Sequence, residues 1–149
     1  MKRKTIYCLL IILAIFTITG CNNKISDNKN NKEKSDEVIK SVKLLIAEKE
    51  YVLDLEDNET VKQFIVKLPQ ELEMSELNGN EKYIYLDYTL PTNAYNPKNI
   101  HAGDVMLYGN NCLVIFYKSF NTSYSYTKIG HINNLPDLGN DSINIKIEK

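Results

Sequence analysis

The stretch GDVMLYGNNCLVIFYKS, residues 103–119, decides how the rest of this sequence folds. Two apolar runs flank the tripeptide Gly-Asn-Asn at 109–111, and these residue types tolerate the positive φ angles of a tight turn. Every residue of the second run, CLVIF at 112–116, is apolar. A strand of this kind is buried on both faces, which happens only near the centre of a sheet. The stretch therefore predicts a β-hairpin whose second strand is central.

The two faces of this central strand are expected to meet different neighbours, because side chains alternate along a strand. Cys112, Val114 and Phe116 form one face, and Leu113, Ile115 and Tyr117 form the other. We expect one face to meet the interior of a β-barrel and the other to meet a helix. Cys112 is expected to point to the interior, with its thiol shielded from solvent.

Further strand patterns recur at short intervals through residues 38–149, separated by turn-forming residues. They are the alternating residues 41–46, YVLDL at 51–55, LEM at 72–74, KYIYL at 82–86, TKIGHI at 127–132, and the isoleucines 143, 145 and 147. About eight short strands with few helices are typical of an all-β domain. The sequence predicts a mainly β fold, a closed or nearly closed antiparallel eight-stranded barrel with one α-helix and short helical turns.

The predicted helix occupies the segment after residue 57. Asp57 or Asn58 can cap its N-terminus, and the apolar residues Val61, Phe64, Ile65 and Leu68 recur at helical spacing. Pro69 then ends it, because proline cannot continue a helix.

The N-terminus has the pattern of an export signal. A basic head at residues 2–4 precedes the apolar run 6–18, which is short for a permanent membrane span. The following Ile-Thr-Gly-Cys at 18–21 resembles the lipobox of bacterial lipoproteins. We predict a signal peptide at 1–20, lipidation of Cys21, and attachment to the extracytoplasmic face of the cell membrane through the lipid. The alternative is an ordinary signal peptide followed by an incidental cysteine.

Residues 21–37 are predicted to form a disordered tether, because they are rich in Asn, Lys and Asp and contain one large aliphatic residue. Loss of the signal removes three of 18 basic residues and leaves 15 against 19 acidic ones, a net charge of about −4. Nothing in this balance favours a nucleic-acid partner. With Cys21 lipidated, Cys112 is the only thiol left, so no intramolecular disulfide is expected.

Three segments of the domain resemble one known family. They are MSELNGNEKYIYL at 74–86, LPTNAYNPKNIHAGDVMLYGNNCLVIFYKSF at 90–120, and SYSYTKIGHI at 123–132. Residues 38–149 resemble the bacterial cyclophilin-like group, whose members share a fold with prolyl isomerases. The resemblance implies a cyclophilin-like barrel and does not imply an activity.

The resemblance also provides a test of prolyl isomerase activity. Active cyclophilins use the arginine of a Phe-His-Arg segment, whose guanidinium contacts the substrate around the prolyl amide. The only arginine in this chain is Arg3, inside the predicted signal peptide, and there is no Phe-His-Arg segment and no tryptophan. A lysine does not reproduce the planar guanidinium fork. Prolyl isomerase activity of the usual kind is therefore not expected.

Other catalytic patterns are weak. His101 and Asp104 have the spacing His-x-x-Asp, and His131 lies thirty residues after His101, but two histidines with one buried cysteine are a poor metal set. Ser119 lies in no Gly-x-Ser-x-Gly context, and no glycine-rich phosphate loop is present. We predict no catalytic residue, no metal and no cofactor.

Tyrosine provides the best candidate for a binding surface, since its ring combines rigid apolar area with one polar tip. The alternative is that most tyrosines only form strands. If the barrel closes as in cyclophilins, one face collects a candidate ligand groove. Its predicted residues are Glu76, Asn78, Tyr83, Asn93, His101, Tyr117, Ser119 and Tyr124.

Three functions fit these features. The first is a membrane-anchored module that binds a peptide or small ligand without the usual isomerase activity. The second is an enzyme, either a divergent prolyl isomerase or another activity in the same groove. The third is an accessory subunit of a surface complex, which differs from the first in the size of its partner. The absence of arginine from the predicted mature chain favours the first over the second.

Overall fold

The computed structural model describes residues 38–149, which form ten strands and a single helix. The strands are β1 (Ser41–Ile46), β2 (Lys49–Leu55), β3 (Gln70–Leu77), β4 (Glu81–Tyr85), β5 (Asn99–Ile100), β6 (Asp104–Tyr108), β7 (Cys112–Phe116), β8 (Phe120–Asn121), β9 (Thr127–Ile132) and β10 (Ile143–Glu148), and the helix is α1 (Glu59–Val66). Eight of the strands close into an antiparallel barrel in the order β1-β10-β3-β4-β7-β6-β9-β2. The predicted mainly β, eight-stranded barrel with one helix is confirmed.

The hairpin at 103–119 has the predicted form. Tyr108 at the end of β6 pairs with Cys112 at the start of β7, so the loop is the tripeptide 109–111. Gly109 has a φ of 60°, a left-handed conformation that glycine adopts without strain. β7 lies between β4 and β6, and all five of its residues are buried. The strand is therefore central, as its composition predicts.

Helix α1 begins where the sequence places it. The side chain of Asn58 accepts a hydrogen bond from the backbone N–H of Val61 at 2.9 Å, the geometry of an N-cap. The Asn58 amide also donates to the carbonyl of Lys128 at 2.8 Å, which attaches the helix start to β9. Val61 and Phe64 are buried, whereas Val66 at the end of the helix is exposed. The amphipathic spacing therefore turns one helical face towards the protein.

The barrel interior holds the main hydrophobic core. It collects the inward side chains of the strands together with Val61 and Phe64 of the helix. Its most deeply buried members, at 0–1% exposure, are Leu44, Leu53, Phe64, Met74, Val105, Leu107, Leu113, Ile115, Ile129, Ile132 and Ile147. The helix thus shares the core with the inner face of β7.

The outer face of β7 belongs to a second, smaller cluster, which corrects two expectations. Its buried residues are Ile100, Met106, Cys112, Val114, Phe116 and Tyr126. The helix therefore does not cover this face, and Cys112 points outwards from the barrel rather than into it. The cover consists of two chain segments that are distant in sequence and pair with each other. The periodicity of strands and helices does not detect such a pairing. The shielding expected of Cys112 is nevertheless found, since the residue is 5% exposed.

The predicted signal peptide at 1–20, lipidated Cys21 and tether 21–37 lie outside the described residues. Within residues 38–149, no helix has the length and apolar character needed to cross a membrane.

Candidate ligand-binding groove

The floor of the groove is the outer face of three neighbouring strands. Directly opposite residues on paired strands share a face. Val114 in β7 lies opposite Tyr83 in β4 and Met106 in β6. At the next outward position, Cys112 lies opposite Tyr85 and Tyr108. The strand register therefore places aromatic side chains on both sides of a small apolar centre.

Two long connections close the groove from above, the segment before β6 and the segment after β7. They pair through the short strands β5 and β8, where Asn99 lies opposite Asn121. Tyr95 and Tyr126 exchange two backbone hydrogen bonds of 2.9 Å each. These contacts between distant parts of the chain satisfy the backbone groups of otherwise polar loops. They fix Tyr126 and Phe120 above the outer face of β7.

The floor and its cover enclose a cavity of about 330 Å³, which we call the tyrosine groove. Twelve residues line it: Leu77, Asn78, Asn80, Glu81, Tyr83, Tyr85, Tyr108, Cys112, Val114, Phe120, Tyr124 and Tyr126. Five of the twelve are tyrosines, drawn from β4, β6 and the connection before β9. The groove is at the small end of the volumes that bind small molecules.

The aromatic rings meet at steep angles instead of stacking flat. The centroids of Tyr108 and Tyr124 are 6.0 Å apart with their planes at 87°, and Tyr83 and Tyr85 are also 6.0 Å apart at 83°. Tyr108 and Tyr126 are 5.6 Å apart and tilted by 53°. Such edge-to-face contacts are favourable for aromatic rings and hold them in fixed orientations. The walls of the groove are therefore rigid aromatic surfaces.

A single carboxylate is the charged group in the lining. Glu81 begins β4 on the same face as Tyr83, opposite Phe116 of β7. Partial burial, and then the negative charge of Glu76, raise the pKa of the Glu81 carboxyl above its ordinary value. Burial together with the charge of Glu81 also raises the pKa of the Cys112 thiol to about 11. The field of Glu81 therefore reaches across the floor of the groove.

The turn between β3 and β4 forms one end of the groove. Asn78 and Gly79 have φ angles of 58° and 68°, and the carboxylate of Glu76 accepts a hydrogen bond from the backbone N–H of Gly79. The backbone carbonyl of Asn80 accepts from the N–H of Tyr117 at 3.0 Å, which fixes the turn against the chain after β7. The side-chain oxygen of Asn80 is buried and has no hydrogen-bond partner among residues 38–149.

Three of the eight predicted groove residues line this cavity, namely Asn78, Tyr83 and Tyr124. Two others, Glu76 and Tyr117, lie together on the inner side of the sheet. The Tyr117 hydroxyl donates to Glu76 at 3.3 Å, and Tyr117 is 2% exposed. Burial, and then the charge of Glu76, raise the pKa of Tyr117 to about 12. This hydroxyl therefore stays protonated and serves the structure of the barrel end.

Lys82 completes the inner cluster. It is fully buried, and its ammonium donates to the carbonyls of Gly139 at 2.7 Å and Asp141 at 2.6 Å. The same ammonium lies 5.1 Å from the ring centroid of Tyr117. Burial lowers the pKa of Lys82, while the nearby carboxylates of Glu76 and Asp141 oppose this shift. The lysine is satisfied on the side of β4 opposite to the tyrosine groove.

The remaining predicted residues, Asn93, His101 and Ser119, lie outside the cavity wall. The backbone N–H of Asn93 donates to the hydroxyl of Thr127 at 3.0 Å, and the Ser119 hydroxyl accepts from the N–H of Ala102 at 3.0 Å. The His101 side chain is 71% exposed. All three residues belong to loops around the groove and do not form its surface.

The two histidines share one carboxylate. Buried Asp104 lies 3.1 Å from the Nδ1 of His131 and accepts a hydrogen bond from the backbone N–H of His101 at 2.9 Å. Within the described part of the chain, no cluster of three His, Cys, Asp or Glu side chains is arranged to hold a metal ion.

The alternation of side chains along β4 could have identified two lining residues that the predicted groove omits. Glu81, Tyr83 and Tyr85 alternate along β4 with Lys82 and Ile84, which point inwards. Finding Tyr83 therefore implies Glu81 and Tyr85. Phe120 and Tyr126 have no such signal, because loop pairing positions them.

A second depression of about 640 Å³ lies beside β3 and β4, and Tyr85 borders both cavities. Three of its polar side chains already contact one another. The ammonium of Lys67 lies 5.1 Å from the ring centroid of Tyr88, and the amide of Gln70 donates to the Tyr88 hydroxyl. The tyrosine groove is the better candidate site, although it is smaller, because it places five tyrosine rings around one carboxylate.

Comparison with known proteins agrees with the sequence resemblance. A family model described as the cyclophilin-like family matches residues 44–148, which includes nearly all of the barrel. Neither the curated proteins nor the solved structures give a significant match to the chain.

The raised pKa of Cys112 predicts a slow thiol with an unusual pH profile. Only the thiolate reacts with iodoacetamide, so the alkylation rate should keep rising about tenfold per pH unit beyond pH 9.0, the ordinary pKa of a thiol. Mass spectrometry of the tryptic peptide 99–118 from the full chain measures this rate, and the urea-unfolded chain is the control. A rate in the folded chain that levels off near pH 9.0 would contradict the described environment.

Proposed function

Because the chain belongs to the cyclophilin-like family, we propose that it binds a peptide or small ligand in the tyrosine groove and lacks the usual prolyl isomerase activity. We further propose that it does so as a lipoprotein on the extracytoplasmic face of the membrane. The observation that carries the binding function is the groove itself, an apolar floor between aromatic walls with one carboxylate.

The exposure of the tyrosines supports binding. Tyr85, Tyr108 and Tyr124 are 64%, 44% and 60% exposed, although each lies beside a buried cluster. Tyrosines with a structural role alone would bury more of their rings, as Tyr126 does at 6% exposure. Large, rigid, amphipathic rings with two rotatable bonds lose little entropy when they contact a ligand. These three side chains therefore offer binding surface at low cost.

The charges around the groove support the absence of usual isomerase activity. An isomerase of the cyclophilin type needs a fixed donor beside the prolyl amide, because the barrier to rotation is about 18–20 kcal/mol. The lining contains no arginine and no lysine. Lys82 is next to Glu81 in the sequence, but its ammonium is held by two carbonyls on the other face of β4. It is therefore a poor substitute for the missing guanidinium.

The lipid anchor is supported by the sequence of residues 1–21. A basic head, a short apolar run and the Gly-Cys pair at 20–21 occur in the order that a lipoprotein signal requires. Two acyl chains on one cysteine would provide the double attachment that stable anchoring needs.

Ligand binding predicts a small molecule that co-purifies with the protein. The full chain, extracted from its own cells in an uncharged detergent, should show an added mass in native mass spectrometry. Replacing Tyr108 and Tyr124 together with alanine should lower the occupied fraction by about tenfold, because two aromatic contacts are lost. Tyr51→Leu is the control, since Tyr51 lies in β2 and does not line the cavity. Equal occupancy in wild type and double variant, or none in either, would contradict the prediction.

The missing guanidinium predicts no catalysis of prolyl isomerisation. Exchange NMR of a blocked peptide with one Xaa-Pro bond should give the same cis/trans exchange rate with and without the full chain. A rate increase that Glu81→Gln or Tyr124→Leu abolishes would instead assign an isomerase activity to the groove.

The lipid anchor predicts that Cys21→Ala moves the protein out of the membrane fraction or leaves the signal peptide uncleaved. Cys112→Ala is the control, because it removes a thiol that the anchor does not use. Fractionation and mass spectrometry of the mature N-terminus measure both effects. An unmodified N-terminus at any other residue in the wild type would refute the anchor.

A further inference from the structure

We infer that the tyrosine groove selects a small organic cation, a ligand with a substituted ammonium group, and that Glu81 is its counter-ion. This inference rests on the proposed binding function and names the chemistry of the ligand.

The first support is an unpaired negative charge. Glu81 is the only charged side chain among the twelve lining residues. Seven ion pairs occur among residues 38–149, and Glu81 takes part in none of them, nor in a side-chain hydrogen bond. A half-buried carboxylate without a partner has lost part of its hydration and gained no compensating contact. A cation bound beside it would supply that contact.

The aromatic walls provide the second support. The face of a tyrosine ring attracts cations, and several rings around one site form an aromatic cage for substituted ammonium groups. Four lysine contacts with tyrosine rings occur in the described residues, on Tyr51, Tyr88 and Tyr117. None of the five groove tyrosines has such a contact within that part of the chain. The exposed rings of Tyr85, Tyr108 and Tyr124 can therefore face an external cation.

The charge inside the groove is negative. Glu76 also helps to raise the pKa of the Glu81 carboxyl, and the ammonium of Lys82, which lies near Glu76, is held by two carbonyls on the other face of β4. The buried side-chain oxygen of Asn80, at the same end of the groove, adds a partial negative charge. A bound cation would lower the pKa of Glu81 again, since opposite charges favour ionisation. Ligand binding and ionisation of Glu81 therefore support each other.

The apolar floor distinguishes a substituted ammonium group from a metal ion or a simple amine. A metal ion such as Ca²⁺ needs six or more oxygen ligands, and the groove offers one carboxylate. A primary ammonium is strongly hydrated and would lose that hydration beside the apolar side chains of Val114 and Phe120. Methyl groups on the nitrogen remove this cost, because they contact the apolar side chains directly. The volume of about 330 Å³ also suits a small molecule.

The test compares choline with its neutral isostere, in which a tert-butyl group replaces the trimethylammonium group. The two probes have the same shape, so their difference in affinity measures the contribution of charge. Both are titrated into the full chain in an uncharged detergent, and the tyrosine ring signals are followed by NMR. Glu81→Gln and Tyr124→Leu are the groove variants. Glu73→Gln and Tyr51→Leu are the controls, since Glu73 is exposed in β3, Tyr51 lies in β2, and neither lines the cavity.

We expect choline to bind about tenfold more tightly than the isostere. Glu81→Gln should weaken choline binding by about three- to tenfold and leave the isostere unchanged, and Tyr124→Leu should weaken choline by a similar factor. The control variants should bind both probes as the wild type does.

Equal affinity for the two probes would overturn the inference and leave the groove as an apolar binding site. Choline binding that neither groove variant weakens would also overturn it, because the cation would then bind elsewhere. Absence of binding by either probe would overturn the choice of ligand. The co-purification experiment decides the proposed binding function separately, so the two ideas fail through different measurements.

Discussion

Burial of both faces of β7 is the constraint on which the rest of the structure depends. A strand whose five residues are all apolar must be covered on each side, and a barrel interior covers only one. The outer face of Val114 and Phe116 therefore requires a second layer, which the two long connections supply through Tyr95 and Tyr126. The space left between this face and its cover is the tyrosine groove.

In β4, the alternation of side chains between the two faces of the strand separates two opposite charges. Glu81 and Lys82 are adjacent in the sequence, yet they point to opposite faces of the strand and do not form an ion pair. The ammonium of the lysine donates to the carbonyls of Gly139 and Asp141 and lies near the ring of Tyr117. Its positive charge therefore stabilises the end of the barrel. The glutamate has no such partner, and its negative charge is the charge of the groove. A one-residue shift in the register of β4 would exchange these roles, and it would bring a lysine into the aromatic walls.

Sequence periodicity predicts the barrel well and the groove only in part. The hairpin at 109–111 and the cap at Asn58 depend on contacts between near neighbours, which the sequence records directly, and the central position of β7 follows from its apolar composition. Tyr83 and Tyr124 are found because tyrosine is a residue type suited to binding surfaces. The cover of β7 is different, because it depends on pairing between Asn99 and Asn121 across more than one strand. No local pattern encodes such a pairing, so Phe120 and the outward direction of Cys112 emerge only from the structure.

Closure of the barrel also limits how this protein can meet other proteins. The eight strands form a continuous ring, so each has a hydrogen-bonded neighbour on both sides. An open sheet presents unpaired N–H and C=O groups along its edges, and these recruit strands from other chains. Among residues 38–149, the edges outside the ring belong to β5 and β8, which have two residues each and are too short to template a strand. Copies of this domain can therefore be crowded together with little tendency to aggregate through their backbones, and recognition is left to side chains.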